Sequence, residues 1–166
     1  MKICIYPGSF DPFTQGHMDV LLRGAQIFDK VIVGVLSNRE KRAAFSIEQR
    51  LEWIDKAIAA AGLEERCQSE AFSGLTVEFG GKKGAGAILR GLRGPMDLAY
   101  ELPIAQMNRD MAPELDTVFI VADKTFGHVS SSLIKDVGLH GGKIGRWLPQ
   151  SIAEDVSAEL TDLRAN

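Results

Sequence analysis

Four groups of residues in this 166-residue chain have the types and spacing to handle phosphates. Thr14-Gln-Gly-His17 follows a short apolar run that breaks at Pro7-Gly8, which sets a histidine about one turn into a helix opening near Thr14. The first amides of a helix lack partners, and its aligned peptide dipoles place about half a positive charge there, so such a junction attracts anions. His17 falls on the loop side of that turn, and Gly16 has no side chain to keep a ligand off the backbone. Lys41 lies between Arg39 and Arg42 after the second apolar run. Arg90 and Arg93, three apart on a glycine loop, can present forked donors to two anions. Ser130, Ser131 and Ser132 lead into a further helix, where serine hydroxyls are at home as caps.

The elements that must position these groups alternate. A first strand ends near Pro7, and Met18, Leu21, Leu22, Ala25 and Phe28 form one apolar stripe of a helix over 14–28. Val31 to Leu36 is a continuous apolar, mostly β-branched run, the signature of a strand buried on both faces of a parallel sheet. Ser46-Ile-Glu-Gln49 is a capping box for a helix that stops at Gly62. A short strand over 65–70, a short helix over 75–83, a strand over Ala87–Arg90 and a loop over Gly91–Pro95 follow. Pro95 suits a helix's first turn, and Leu98, Leu102, Ala105 and Met107 carry that helix to about Met111, with Pro103 expected to kink or break it. Asp116–Ala122 is a fifth strand, Ser130–Ser132 opens a helix ending near Gly138, and Ser151-Ile-Ala-Glu154 reads as a second capping box for a terminal helix.

Five strands alternating with helices predict an α/β, Rossmann-like, doubly wound, five-stranded parallel sheet with helices on both faces. One domain is expected over 1–166, with a C-terminal helical extension from about 142. In such sheets ligands bind at the carboxyl ends of the strands, where loops 7–17, 37–45, 90–95 and 123–132 should converge.

Composition narrows the class. With 45% apolar and 25% charged residues the chain can bury an ordinary globular core. A net charge of −3 argues against nucleic acid as the main partner, while basic loops suit small phosphorylated ligands. No stretch approaches eighteen apolar residues without charge, and Met1-Lys2-Ile3 leads directly into a strand, so no membrane partner and a cytoplasmic location are expected. Cys4 and Cys67 belong to no C-x-x-C pair and read as structural thiols. Gly80-Gly-Lys-Lys-Gly-Ala-Gly86 lacks the P-loop order and precedes a strand instead of following one, so it reads as a solvated turn. His128 and His140 have no partners at metal-ligand spacing, and Trp53 and Trp147 read as packing residues.

Tyr6-Pro-Gly-Ser-Phe-Asp-Pro-Phe-Thr-Gln-Gly-His17 resembles the opening of the nucleotidylyltransferase superfamily, and its T-x-G-H form resembles the phosphopantetheine adenylyltransferase branch. Val129-Ser-Ser-Ser132 resembles that family's I-S-S-S/T segment, and Leu89-Arg-Gly-Leu-Arg93 with Tyr100-Glu101 and Met107-Asn-Arg109 resembles its I-R-G-L-R…Y-E…M-N-R run. Where the family usually has Trp shortly before its serines, this chain has Phe126-Gly127-His128.

The resemblance implies adenylyl transfer from ATP to 4′-phosphopantetheine, with His17, Lys41 and Arg90 catalytic. It further implies ATP contacts from Ser9, Phe10, His17, Gly91, Leu92, Arg93, Glu101 and the run Phe126, Gly127, His128, Val129, Ser130, Ser131, Ser132. Acceptor contacts are implied for Ser9, Lys41, Leu75, Thr76, Arg90, Met107 and Asn108. Magnesium is expected to ride on the triphosphate, since no acidic cluster suggests a protein cage, and the resemblance implies a homohexamer. Two alternatives stay open at this point: a sister transferase using nicotinamide mononucleotide or glycerol 3-phosphate, and a nucleotide-sensing module without turnover.

Overall fold

The computed structural model describes residues 1–37 and 43–165. Five parallel strands, β1 (Ile3–Gly8), β2 (Lys30–Leu36), β3 (Cys67–Phe72), β4 (Ala87–Leu92) and β5 (Asp116–Val121), stand in the order β3-β2-β1-β4-β5. Between and after them run α1 (Gln15–Ile27), α2 (Ile47–Ala60), α3 (Thr76–Lys82), α4 (Pro95–Met111), α5 (Ser131–Leu139) and α6 (Gln150–Ala165). The expected Rossmann-like α/β sheet is therefore the observed one.

Strand side chains alternate between two apolar clusters because each strand is covered on both faces. Cys4, Tyr6, Val31, Val33 and Leu89 pack against α1, α2, α5 and α6. Ile5, Ile32 and Ile88 pack on the other face against Val77 and Phe79 of α3, with Ala112 and Leu115 beyond α4. Cys4 and Cys67 are both buried and free, in keeping with structural thiols.

The sheet splits where its order reverses. β1 stays in register with β2 as far as Gly8 opposite Val35, but it pairs with β4 only at Cys4–Ala87 and Ile5–Ile88. Beyond those pairs the carboxyl halves of β1 and β4 part, and a crevice opens between them. Arg90 crosses it, donating from Nη1 to the carbonyl of Pro7 across 2.6 Å.

Several boundaries differ from the sequence reading. β3 begins two residues later than expected, because Cys67 rather than Glu65 supplies its first buried side chain. Gly91 and Leu92 belong to β4, paired with Ile120 and Val121, not to a loop. Pro103 neither breaks α4 nor ends it: both Pro103 and Ala99, whose carbonyl loses its helical donor, are exposed, so that carbonyl is not stranded in the core. Ser151 lies inside the first turn of α6, which starts at Gln150 after Pro149, so the second capping box does not form there. The Gly80–Gly86 stretch closes α3 and turns before β4, with Lys83 bound to Glu70 across 2.6 Å, away from the crevice.

α4 stands out on the surface. Its seventeen residues bury only Glu101, while Met96, Tyr100 and Met107 are 81%, 71% and 60% exposed beside Leu98, Leu102, Ile104 and Met111. No helix among the described residues is long and apolar enough to cross a membrane.

Candidate active site

α1 starts where Thr14 leaves extended backbone and its hydroxyl accepts from the His17 amide at 3.3 Å. His17 returns the favour: its Nδ1 accepts from the Thr14 amide at 3.1 Å. The histidine thus does cap the helix, and that same contact settles its chemistry. A backbone amide can only donate, so Nδ1 is unprotonated and the neutral ring carries its proton on Nε2. Burial, reinforced by Arg93 and Arg90, pushes the His17 pKa down to about 3, so the ring is neutral at physiological pH. Phe10 and Phe13 flank the ring with centroids at 5.0 and 5.6 Å.

α5 opens in the same way. Ser130 caps it, its Oγ accepting from the Leu133 amide at 3.2 Å, and Ser131 Oγ donates to the Pro12 carbonyl at 2.8 Å. The Ser131 and Ser132 amides at its first turn have no carbonyl within the helix to bond, which leaves two donors for an anion.

Arg90 and Glu101 form a forked pair, with Nε donating to Oε2 at 2.8 Å and Nη2 to Oε1. Glu101 is buried, so the pair fixes the guanidinium against the crevice wall. Arg93 is held by Asp97 through its backbone amide, Nε and Nη2 at 2.9, 2.9 and 3.1 Å, and its Nη1 donates to the Val129 carbonyl at 3.2 Å. Those bonds keep the Asp97 carboxyl below its ordinary range.

Two clefts lie over this crevice. One, of about 390 Å³, is lined by Phe10, His17, Gly91, Arg93 and Val129–Ser132. The other, of about 320 Å³, is lined by Leu36, Arg50, Phe72, Thr76, Ile104 and Asn108. They share one wall made of Pro7, Gly8, Ser9, Arg90, Tyr100 and Glu101. Two ligands laid in these clefts would meet at Ser9 and Arg90.

Of the residues read from the sequence, Leu92 at the end of β4 is buried and lines neither cleft. Leu75 and Met107 are exposed neighbours of the lining residues Thr76 and Asn108. Phe126 packs against the larger apolar cluster and the Gly127 amide donates to the Lys124 carbonyl at 3.2 Å, whereas His128 packs edge-on to Trp147 at 6.3 Å around a small apolar crevice. Lys41 lies outside the described residues, as do Arg39 and Arg42. Among the described residues no group of three or more His, Cys, Asp and Glu is placed to hold a metal ion.

Three polar residues in and around the site were missed. Asp97 had a signal in its i, i+4 spacing from Arg93. Arg50 had one too: it stands on the apolar stripe of α2 with Trp53, Ile54 and Ala57, and it is buried there. Asp11 gave none, for its partners are 33 to 124 residues away.

Known proteins resemble this chain in sequence and in fold. Residues 5–137 match the cytidylyltransferase-like family. A phosphopantetheine adenylyltransferase of Clostridium perfringens is 42% identical over 99% of this chain and 98% of its own length. That of Synechococcus elongatus is 45% identical over 90% of this chain and 88% of its own length. Among solved structures, a nicotinic acid mononucleotide adenylyltransferase of Plasmodium falciparum complexed with NaAD superposes with a TM-score of 0.70 at 14% identity, covering 99% of both chains. A bifunctional NMN adenylyltransferase/ADP ribose pyrophosphatase of Francisella tularensis gives 0.71 at 19% identity; this chain is covered over 99% of its length and spans 52% of that one. With its T-x-G-H helix start, its serine-opened α5 and relatives at this identity over nearly the whole chain, the chain belongs to the phosphopantetheine adenylyltransferase family.

Proposed function

We propose that the protein transfers the adenylyl group of ATP to 4′-phosphopantetheine, forming dephospho-coenzyme A and pyrophosphate in coenzyme A biosynthesis. The observation that carries this reading is the wall shared by two clefts, at which Ser9 and Arg90 are available to both occupants. An oxygen of the acceptor phosphate attacks the α-phosphorus of ATP, and the bond from that phosphorus to the bridging oxygen breaks as pyrophosphate leaves. The attacking group is already an anion and needs no general base. Its difficulty is approach against like charge, and holding both phosphates in line is worth about 7–11 kcal/mol of barrier.

His17 donates from Nε2 to the α-phosphate as negative charge builds there. Because the ring is neutral throughout, it stabilises by a fixed hydrogen bond and not by giving up a proton. Ser9 and Arg90 grip the acceptor phosphate, and Lys41 bridges it to the α-phosphate, a role resting on the sequence resemblance. Arg93 and the opening of α5 serve ATP, with Phe126 to Val129 toward its adenosine; Glu101, an ATP contact by family resemblance, also fixes Arg90 for the acceptor phosphate. Thr76 and Asn108, with neighbouring Leu75 and Met107, flank the pantetheine arm. Magnesium enters with the nucleotide as part of the substrate. The protein works in the cytoplasm, where ATP is made, and associates with copies of itself, as a hexamer by family resemblance; the apolar outer face of α4 supports self-association.

The deciding experiment offers ATP and magnesium with 4′-phosphopantetheine, nicotinamide mononucleotide or glycerol 3-phosphate and follows pyrophosphate. Release is expected with the first alone. Equal release with another acceptor, or none with any, would overturn the reading.

A further inference from the structure

The buried carboxylate of Asp11 joins three parts of the site that the chain brings from far apart. Oδ2 accepts from the Ala44 amide and Oδ1 from the Phe45 amide, each at 3.1 Å, and Lys135 Nζ of α5 closes a salt bridge to Oδ2. Asp11 is only 5% exposed, so its charge is screened little by water and these three donors are its compensation. Arg50 lies behind the same loop, donating from Nη1 to the Ser9 carbonyl at 2.7 Å and from Nε to the Ser46 carbonyl at 3.2 Å. Between Ser9 and Asp11, Phe10 sits at φ 47, a left-handed conformation that a bulky residue keeps only when its surroundings hold it there.

We propose that Asp11 is a positioning residue that sets the two phosphate-binding halves of the site at working distance. Through the amides of Ala44 and Phe45 it holds the segment that follows Lys41, on the acceptor side. Through Lys135 it holds α5, on the nucleotide side. On the same loop, Arg50 ties down the Ser9 carbonyl. None of these bonds requires Asp11 to touch a substrate, so its loss should lower turnover more than it weakens either ligand. The inference deepens the adenylyl-transfer reading and rests on it for the kinetic part of its test.

The test compares the full chain with Asp11→Asn, Lys135→Met, Lys135→Arg and the double variant Asp11→Asn/Lys135→Met. Val156→Ala, a core change in α6, controls for lost stability. Asp11→Asn is expected to lower kcat at least tenfold while KM for ATP moves less than threefold. Lys135→Met should lower kcat at least fivefold, Lys135→Arg should restore it, and the double variant should fall no further than Asp11→Asn. Normal kcat in Asp11→Asn, or an equal loss in Val156→Ala at matched melting temperature, overturns the proposal. A Lys135→Met enzyme with normal kcat and a tenfold higher KM for ATP also overturns it, since that lysine would then serve the nucleotide directly. A second arm needs no substrate: hydrogen exchange at the Ala44 and Phe45 amides should speed up at least tenfold in Asp11→Asn and not in Val156→Ala. If the wild-type protein releases no pyrophosphate from 4′-phosphopantetheine, the reaction reading has failed and the exchange arm alone judges the brace. If Asp11→Asn does not fold, the Lys135 pair carries the kinetic comparison.

Discussion

Thr14 and His17 each hold the other: the threonine hydroxyl accepts the histidine amide, and the histidine Nδ1 accepts the threonine amide. A helix cap and the tautomer of the ring proposed to serve the α-phosphate are therefore one structure. Removing the ring removes a single donor aimed at developing charge, a change that typically costs about a hundredfold to a thousandfold in rate. His17→Ala should thus turn over at least about a hundredfold more slowly while ATP binding, measured by calorimetry, is largely kept. Near-normal turnover would remove His17 from the chemistry.

The same ring makes a prediction about pH. Free histidine titrates near 6.5, and in the fold His17 is pushed down to about 3. Between those values the unfolded chain binds a proton that the folded chain refuses, so stability falls as pH drops through that window and levels off below it. In His17→Gln the decline between pH 6.5 and 4 should be shallower in urea titrations. Parallel curves for both proteins would show that the ring is not held neutral.

Glu101 is buried against Arg90, and its fork is what keeps the guanidinium on the wall between the clefts. Glu101→Gln keeps the shape but loses the charge. KM for the acceptor should rise about tenfold, equivalent to about 1.4 kcal/mol, with a smaller change for ATP. Initial rates with each substrate varied in turn would show it; an effect confined to ATP would assign Glu101 to the nucleotide alone.

Ser130 can be tested for its two roles separately. Ser130→Ala removes the cap of α5 and should cost about 1 kcal/mol of stability as well as ATP affinity. Ser130→Asp restores a capping acceptor but sets a negative charge where the triphosphate is proposed to lie, so stability should return while ATP affinity stays low. Recovery of both in the aspartate variant would mean the serine acts only as a cap.

The exposed side chains of α4 predict association. Leu102→Asp and Met107→Glu lie outside the clefts, and each should shift sedimentation from an oligomer toward the monomer. An unchanged sedimentation coefficient in both would show that copies meet elsewhere or not at all.

The contiguous signals were legible without a structure. The buried run Val31–Leu36, the Ser46 capping box and the Thr14–His17 helix start all came out as read, because each depends on neighbours a few residues apart. Pro103 left open whether α4 would break, and the helix runs on through it because the freed Ala99 carbonyl is on an exposed residue, which propensity cannot tell. Ser151 misled because Pro149 lets the helix begin earlier than its cap-like residue suggested.

By itself, then, the sequence determined the alternation of strands and helices, and with it a parallel sheet and the loops at its carboxyl edge. Tertiary structure alone decided that β1 and β4 part after two pairs, that Arg90 spans the gap to Pro7, and that Asp11 gathers Ala44, Phe45 and Lys135. The reason is range: these contacts join residues 33 to 124 positions apart, and their partners follow from strand order and helix packing, which no local pattern encodes.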